Sequence, residues 1–308
     1  MDFDMMLDAA ATQKWMGRLR EATSAISPNS GALDWLLRQT IHTHMHRIAV
    51  LPAFGLTRGT IRVLDVGAGT GALCLDIAWL CGPEARIIAV DRDAQSIALL
   101  QDLAARLGCT IESRLGEAYR LPVESASQDL TVCRFLFQHL DQPAAALAEM
   151  IRVTAPGGRV AVMDVDDGAW LSYPGEAPVL EQLNEAIRLW QASIGAGRQI
   201  GRRLYHLFRS AGLTELQVLS VPRVRLGTYY GRNHELEAHH KAYYLNYRDP
   251  LIGAGLITAA AFDAAIAALE RSMNDDDFGF SSDFIAIGRV PRQDDGDRGG
   301  SAGPARAA

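Results

Sequence analysis

Apolar residues along the chain follow two different rhythms, and the change between them divides it. In the first part Trp15, Leu19, Ala22 and Ile26 form one stripe, and Leu37, Ile41, Met45 and Ile48 form a second at spacings of three and four. That period puts each set on one face of a helix, so residues 1–55 read as an N-terminal helical segment. Gly55 to Thr60 turns the chain. From 61 to 166 short β-type runs alternate with helical patterns, beginning with Val63-Leu64-Asp65-Val66 and a helix over Ala72 to Leu80. Such alternation predicts a doubly wound parallel α/β sheet.

Beyond 166 the alternation is interrupted twice. Residues 168–200, with Trp170, Tyr173 and Trp190, read as an insertion ahead of a helix at Arg202 to Ala211 and a strand at Leu216 to Val221. A longer insertion, about 223–280, precedes the last strand, Asp283-Phe284-Ile285-Ala286-Ile287. Residues 291–308 hold Gly, Ala, Asp and Arg without apolar periodicity, and a disordered tail is expected there. The core domain is expected over 56–290, with the N-terminal helices and both insertions reaching over the carboxyl edge of the sheet as a helical lid.

The junction at Gly67-Ala68-Gly69-Thr70-Gly71 joins the first strand directly to a helix. Three glycines keep side chains off the turn, so backbone N–H groups can approach a ligand, and the helix start favours an anionic group. Gly67-x-Gly69-x-x-Ala72 also satisfies the relaxed dinucleotide fingerprint, with Asp91 as the acid expected roughly 20 residues on at the end of Ile87-Ile88-Ala89-Val90. At this point an NAD(P) site and another nucleotide-like cofactor both fit.

Three later segments separate the readings: Gly116-Glu117-Ala118-Tyr119-Arg120-Leu121-Pro122, the run from Asp129 through Arg134 and Phe135 to His139 and Leu140, and Ile151 to Val162 with its Pro156-Gly157-Gly158 turn. With these in order, the chain resembles class I S-adenosylmethionine-dependent methyltransferases of the small-molecule type. It is similar to the ubiquinone and menaquinone C-methyltransferases and to natural-product tailoring methyltransferases. The resemblance runs from Val63 to about Asp166. It implies a Rossmann-like doubly wound sheet, mostly parallel with the last strand antiparallel, and S-adenosylmethionine as methyl donor.

By the same resemblance Gly67, Ala68 and Gly69 face the methionine carboxylate and Asp65 orders the loop. Asp91, with Arg92 beside it, holds the ribose. Glu117 and the Ala118 backbone meet the adenine, whose amino group a carboxylate can accept. Arg134 and Phe135 flank the amino-acid part and the methyl group.

Composition narrows the acceptor. The chain has 308 residues, 48% hydrophobic and 21% charged, the balance of an ordinary globular protein. A net charge of -6 offers no attraction to phosphate backbones, and no Asn-Pro-Pro-Tyr-like or Pro-Cys motif follows the fourth strand, so a nucleic-acid substrate is not expected. Cys74, Cys81, Cys109 and Cys133 form no C-x-x-C pair and read as buried free thiols of a reducing, cytoplasmic setting. Asp2, Asp4 and Asp8 stand where a secretory signal would be basic, and no apolar run approaches the roughly 18 residues that span a bilayer.

A sulfonium donor needs mainly proximity, alignment and exclusion of water, with a base only where the acceptor arrives protonated. His139, after the fourth strand, is the candidate base, against the alternative of a loop hydrogen bond. His42 and His46 share a helical face, but no third ligand is spaced to join them, so a polar flank is expected there instead of a metal. Asp164, Asp166 and Asp167, with Asp141, raise a Mg²⁺ site, yet solvated rim carboxylates account for them without one.

The stretch from Tyr229 to Tyr247 holds five tyrosines and three histidines in nineteen residues. It reads equally as an aromatic acceptor wall and as packing against the core or a second subunit. Methyl transfer to a small lipophilic or aromatic metabolite, in the manner of natural-product biosynthesis, is the expected activity. Non-methylating use of the same cofactor in cyclisation or decarboxylation, and NAD(P)-dependent oxidoreduction, stay open beside it. A homodimer through the N-terminal helices is the assembly these features allow.

Overall fold

The computed structural model describes residues 8–26, 31–56, 58–173, 178–226, 241–272 and 278–292. The expected tail from 293 onward and the tyrosine-histidine stretch from 229 to 240 lie outside these residues. Three helices come first: α1 (Ala9–Ser24), α2 (Gly31–His42) and α3 (His44–Val50). The alternating region supplies β1 (Arg62–Val66), α4 (Ala72–Cys81), β2 (Arg86–Asp91), α5 (Ala94–Leu107), β3 (Glu112–Leu115), β4 (Gln128–Arg134), α6 (Pro143–Val153) and β5 (Thr154–Val165). The rest adds β6 (Leu171–Tyr173), α7 (Pro178–Ser193), α8 (Leu204–Ser210), β7 (Thr214–Leu226), α9 (Arg248–Gly253), α10 (Ala259–Ser272) and β8 (Phe278–Arg289).

One eight-stranded sheet results, ordered β3-β2-β1-β4-β5-β8-β6, with β7 paired to β8. The pairs among β1 to β5 are parallel, whereas β8 runs antiparallel to β5, β6 and β7. This is the class I methyltransferase arrangement, mostly parallel with an antiparallel final strand. The last two long strands extend further than their apolar runs indicate, because β7 and β8 pair from Thr214↔Arg289 to Leu226↔Phe278 and carry polar residues into the ladder. Within the expected 168–200 insertion, Leu171 to Tyr173 likewise forms a short edge strand, held by pairing to β8 and not by an apolar pattern of its own.

Register assigns side chains to faces, since in-register neighbours point the same way. Arg134 stands opposite Met163, Met163 opposite Ile285, and Ile285 opposite Leu219. That face is covered by α4, by α3 through Ile48, and by the turn after it through Leu51 and Phe54. Two residues along, Val165, Asp283 and Val221 share it, and beyond them Arg223 and Ser281. The opposite face packs Val160, Val162 and Ala286 against α6 and α8.

Two helical groups border the sheet. α1 and α2 bury Trp15, Leu19, Ala22 and Leu37 against Leu75, Leu103 and Leu107 of α4 and α5. The two insertions pack on each other: Leu180, Leu183 and Ile187 of α7 share a cluster with Tyr244, Leu251, Phe262, Ile266 and Leu269. That cluster contains no sheet residue and forms a small core of its own. Among the described residues no helix is long and apolar enough to cross a membrane.

Three expectations about burial change. The helix over the three histidines breaks at Thr43, so His42 and His46 do not share one continuous face, and His44 is fully buried instead of flanking the apolar stripe. Its Nδ1 lies 3.2 Å from Asp76, which is why a polar side chain is tolerated there. Met45, placed on that stripe, is exposed. All four cysteines are free thiols, three of them buried and Cys109 intermediate.

Candidate functional site

A cavity of 1410 Å³ opens at the carboxyl ends of the parallel strands. In an open α/β sheet ligands bind at this edge, where the strand order reverses between β1 and β4. Every candidate residue of the sequence reading lines it: Asp65, Gly67, Ala68, Gly69, Asp91, Arg92, Glu117, Ala118, Arg134, Phe135 and His139.

Gly67, Gly69 and Gly71 all have positive φ, at 68°, 53° and 90°. The N–H groups of Gly67 and Ala68 both donate to Val90 O, at 2.8 and 3.1 Å, and Gly69 N donates to Asp91 Oδ2 at 2.7 Å. Those three N–H groups are thus engaged in fixing the loop to β2. The start of α4 also faces the cavity, which Thr70, Ala72 and Leu73 line, and a helix start favours an anionic group. What the glycines supply is shape. A Cβ on Gly67 would come within 2.9 Å of Leu136, whereas one on Gly69 would meet nothing nearer than Leu36 at 4.0 Å, the open cradle of the site.

Asp91 accepts from Gly69 N on one oxygen and from Asp93 N, at 2.9 Å, on the other. A carboxylate has about four acceptor positions, so capacity for two hydroxyl donors remains. Asp65, fully enclosed, accepts from Cys74 N at 3.2 Å and so ties β1 to the first turn of α4. Burial pushes its pKa up to about 7, against the lowering effect of the Cys74 hydrogen bonds. Glu117 and Arg120 form a small bridge that carries Glu117 and Ala118 along the cavity edge.

At the end of β4 the backbone turns sharply. Phe135 has φ 58°, a conformation that favours glycine, and Arg134 stacks over its ring at 3.9 Å. His139 follows on a short 3₁₀ turn and is exposed to the cavity. It is accessible because the cavity is open, yet protein surrounds most of it. Burial, followed by Arg198 and Arg92, lowers its pKa to about 4, which leaves the imidazole neutral near pH 7.

The acidic cluster is a solvated rim only in part, since Asp141 is exposed and Asp167 half-buried. Asp164 and Asp166 are buried. Asp164 accepts from Val165 N and Gln138 N, and burial raises its pKa to about 7. Asp166 is held by Arg202, whose N donates at 2.8 Å and Nη2 at 2.6 Å. Asp167 receives Arg198 through two nitrogens, at 2.6 and 2.9 Å, and Asp141 receives Tyr119 Oη at 2.5 Å. Arginines and a tyrosine occupy Asp166, Asp167 and Asp141, and among the described residues no group of three potential ligands stands close enough to hold a metal.

Arg198 is the residue that sequence reasoning missed. Besides Asp167 it donates to Gln138 Oε1 at 2.8 Å and lies 5.4 Å over Tyr243. It thereby connects the loop after β4, the end of β5 and the helical cap in one cavity wall. Its only sequence signal was a lone arginine in a glycine-rich stretch, Gly195-Ala196-Gly197-Arg198.

Residues 63–158 match the family described as a methyltransferase domain. The chain is 29% identical over 217 residues to an uncharacterized 37.1 kDa protein in a Streptomyces fradiae transposon, covering 70% of this chain and 61% of that one. It is 31% identical over 146 residues to a demethylmenaquinone methyltransferase of Deinococcus radiodurans, covering 47% of this chain and 59% of the relative. Among solved structures, the YcgJ protein of Bacillus subtilis superposes with a TM-score of 0.51 at 19% identity, over 81% of this chain and 99% of that one. The chain thus spans about three fifths of the length of the curated relatives it matches.

Proposed function

We propose, from the premise that this chain carries a class I methyltransferase domain, that it transfers a methyl group from S-adenosylmethionine to a small lipophilic or aromatic metabolite. The observation that carries the reading is the cradle at Gly69. A positive-φ glycine with open space where a Cβ would stand lies between the start of α4 and the Asp91 carboxylate. An amino-acid carboxylate suits the first, and ribose hydroxyls suit the second. Glu117 and Ala118, on the same edge, are placed for the adenine.

When bound, the cofactor supplies an activated methyl on a good leaving group. The residues of this chain bind, orient and exclude water. Asp91 positions the donor's sugar. Phe135, fixed by its backbone turn and the Arg134 stack, borders the space between donor and acceptor. His139, neutral at physiological pH, takes a proton from an acceptor that carries one. The N-terminal helices and the α7–α10 cap close the far side as a lid, with Trp35, Trp170, Tyr243 and Tyr244 as the wall that receives an apolar body.

Calorimetry with S-adenosylhomocysteine tests the assignment. Binding by the wild-type chain, with a loss of about 100-fold or more in Asp91→Ala, is expected from removal of a charge-assisted bidentate acceptor. Stabilisation by NADPH in place of S-adenosylhomocysteine would overturn it. Release of S-adenosylhomocysteine during turnover separates methyl transfer from a non-methylating use of the cofactor.

A further inference from the structure

The face of the sheet under α3 carries charge where an apolar core is expected. Arg134 on β4, Asp283 on β8 and Arg223 on β7 point to the same side, and His46 approaches from α3. Arg134, Arg223 and His46 all line the cavity. Arg223 Nη2 donates to Asp283 Oδ1 at 2.7 Å. Among the described residues Arg134 has no carboxylate within ion-pair distance; its pairing is the stack on Phe135. Three buried nitrogens here have no hydrogen-bond partner: Arg134 Nε, Arg223 Nε and His46 Nδ1.

Buried polar atoms left without partners are costly, more so in charged groups, so three together mark a place where a ligand completes the bonding. Arg47, the other cation nearby, is already bound to Asp76. Among the described residues the two guanidiniums have one carboxylate within ion-pair distance, that of Asp283, and it is taken by Arg223. That balance suits a monoanion.

Position separates Arg223 from the donor's own carboxylate, whereas Arg134, on β4 beside β1, stands between the two ends. The glycine loop and α4 follow β1, whereas Arg223 stands on β7, four strands away in the order β1-β4-β5-β8-β7. At about 4.8 Å per strand this is roughly 19 Å across the sheet. β7 and β8 belong to the part of the chain beyond the matched domain.

We propose that Arg134, Arg223 and His46 form an anion subsite that holds the carboxylate of the acceptor, making the acceptor an aromatic or lipophilic carboxylic acid. The guanidiniums take the carboxylate oxygens, His46 donates a further hydrogen bond, and the aromatic wall receives the body of the molecule. The proposal rests on reading this cavity as the acceptor site of a methyltransferase. Burial, together with Arg47 and Arg223 and against Asp283 and Asp76, pulls Arg134 down to about 9. His46 is lowered by burial and then by Arg223, with Asp283 opposing and Arg134 and Arg47 adding. A bound anion relieves both.

The probes are 1-naphthoate and its neutral counterpart 1-naphthamide, titrated into the full chain and followed by calorimetry and by the NMR titration of His46. Naphthoate is expected to bind about tenfold or more tightly than the amide, from its charge-assisted bonds. It should raise the His46 pKa while the amide leaves it unchanged. Arg223→Gln and His46→Ala should each remove most of the preference and keep S-adenosylhomocysteine affinity within about twofold, since neither touches the donor end. Equal binding of the two probes, including none by either, would overturn the subsite, as would an Arg223→Gln chain that retains the preference. Loss of S-adenosylhomocysteine binding in Arg223→Gln would reassign the cluster to the donor. A wild-type chain that discriminates the probes but binds no S-adenosylhomocysteine would sink the methyltransferase reading and leave the anion subsite standing.

Discussion

Asp76, in the helix that leaves the glycine loop, and Arg47, in the third N-terminal helix, form a fully buried ion pair in which Arg47 Nε donates to Asp76 Oδ2 at 2.7 Å. The same carboxylate accepts Trp15 Nε1 at 2.8 Å and stands 3.2 Å from His44 Nδ1. Arg47 also donates to Thr40 O and Thr43 Oγ1. The carboxylate thus joins the first and third N-terminal helices to the helix that leaves the glycine loop, and Arg47 ties in the second through Thr40 O. The Trp15 and Trp79 rings, stacked 5.5 Å apart, extend the same junction.

Removing one partner leaves a buried charge, so Arg47→Met should cost about 3–5 kcal/mol in denaturant unfolding. Asp76 sets the acid limit. Burial alone would raise its pKa, but Arg47 and then His44 outweigh that and hold it below the ordinary carboxylate range. Its stabilisation is therefore complete above about pH 4, the unfolded value, and is lost as pH falls through the depressed native value. Asp76→Asn should flatten that acid limb. An unchanged limb would assign acid unfolding to other groups.

Gly69→Ala separates shape from stability. The new Cβ meets nothing within 4 Å other than Leu36 at that limit, so the cost to folding comes from the positive φ alone, about 1–2 kcal/mol. The methyl does project into the cradle, and S-adenosylhomocysteine affinity should fall by about tenfold or more, beyond what stability accounts for. Calorimetry on the folded variant reads this directly.

His139 should titrate well below 6.5 in an NMR pH series, toward the value of about 4 set by burial, Arg198 and Arg92. A native pKa below the unfolded one means that protonation favours unfolding, so this group lowers stability as pH falls from about 6.5 toward 4. As a base it should hold kcat level from about pH 8 to pH 5, and His139→Gln should lower kcat by about 10²–10⁴ for a protonated acceptor. Unaltered kcat in that variant would make the ring a packing group.

Arg198→Met should act on the acceptor side. It leaves Asp167 and Gln138 without their shared donor and removes the cation over Tyr243. The acceptor KM should rise about tenfold or more, with S-adenosylhomocysteine affinity changed by less than about twofold, because the donor cradle shares no partner with it. Steady-state kinetics with both ligands varied distinguishes this from a general loss of fold.

The strand-to-helix cradle was legible because its information is local. A strand running into Gly67, Gly69 and Gly71 can form only a tight turn, and the segments that follow at Asp91, Glu117 and Ile151 to Val162 come in a fixed order along the chain. Even so, which N–H groups the loop keeps for itself depended on Val90 and Asp91 being brought to it by parallel pairing. The charged residues were misjudged for the same reason. Asp166 looked like a rim carboxylate because Arg202, its partner, is far along the chain, and His44 looked like a polar flank because Asp76 is.

Periodicity and the glycine turn by themselves determined the doubly wound core, the N-terminal helices and the nucleotide-type cradle, since each follows from spacing within a few residues. Tertiary structure alone decided that the two insertions share one core, that Arg198 links three segments of the cavity wall, and that Arg134, Arg223 and His46 converge under α3. A buried charge is permitted only by the groups around it, and those groups come from strands and helices that no local pattern pairs.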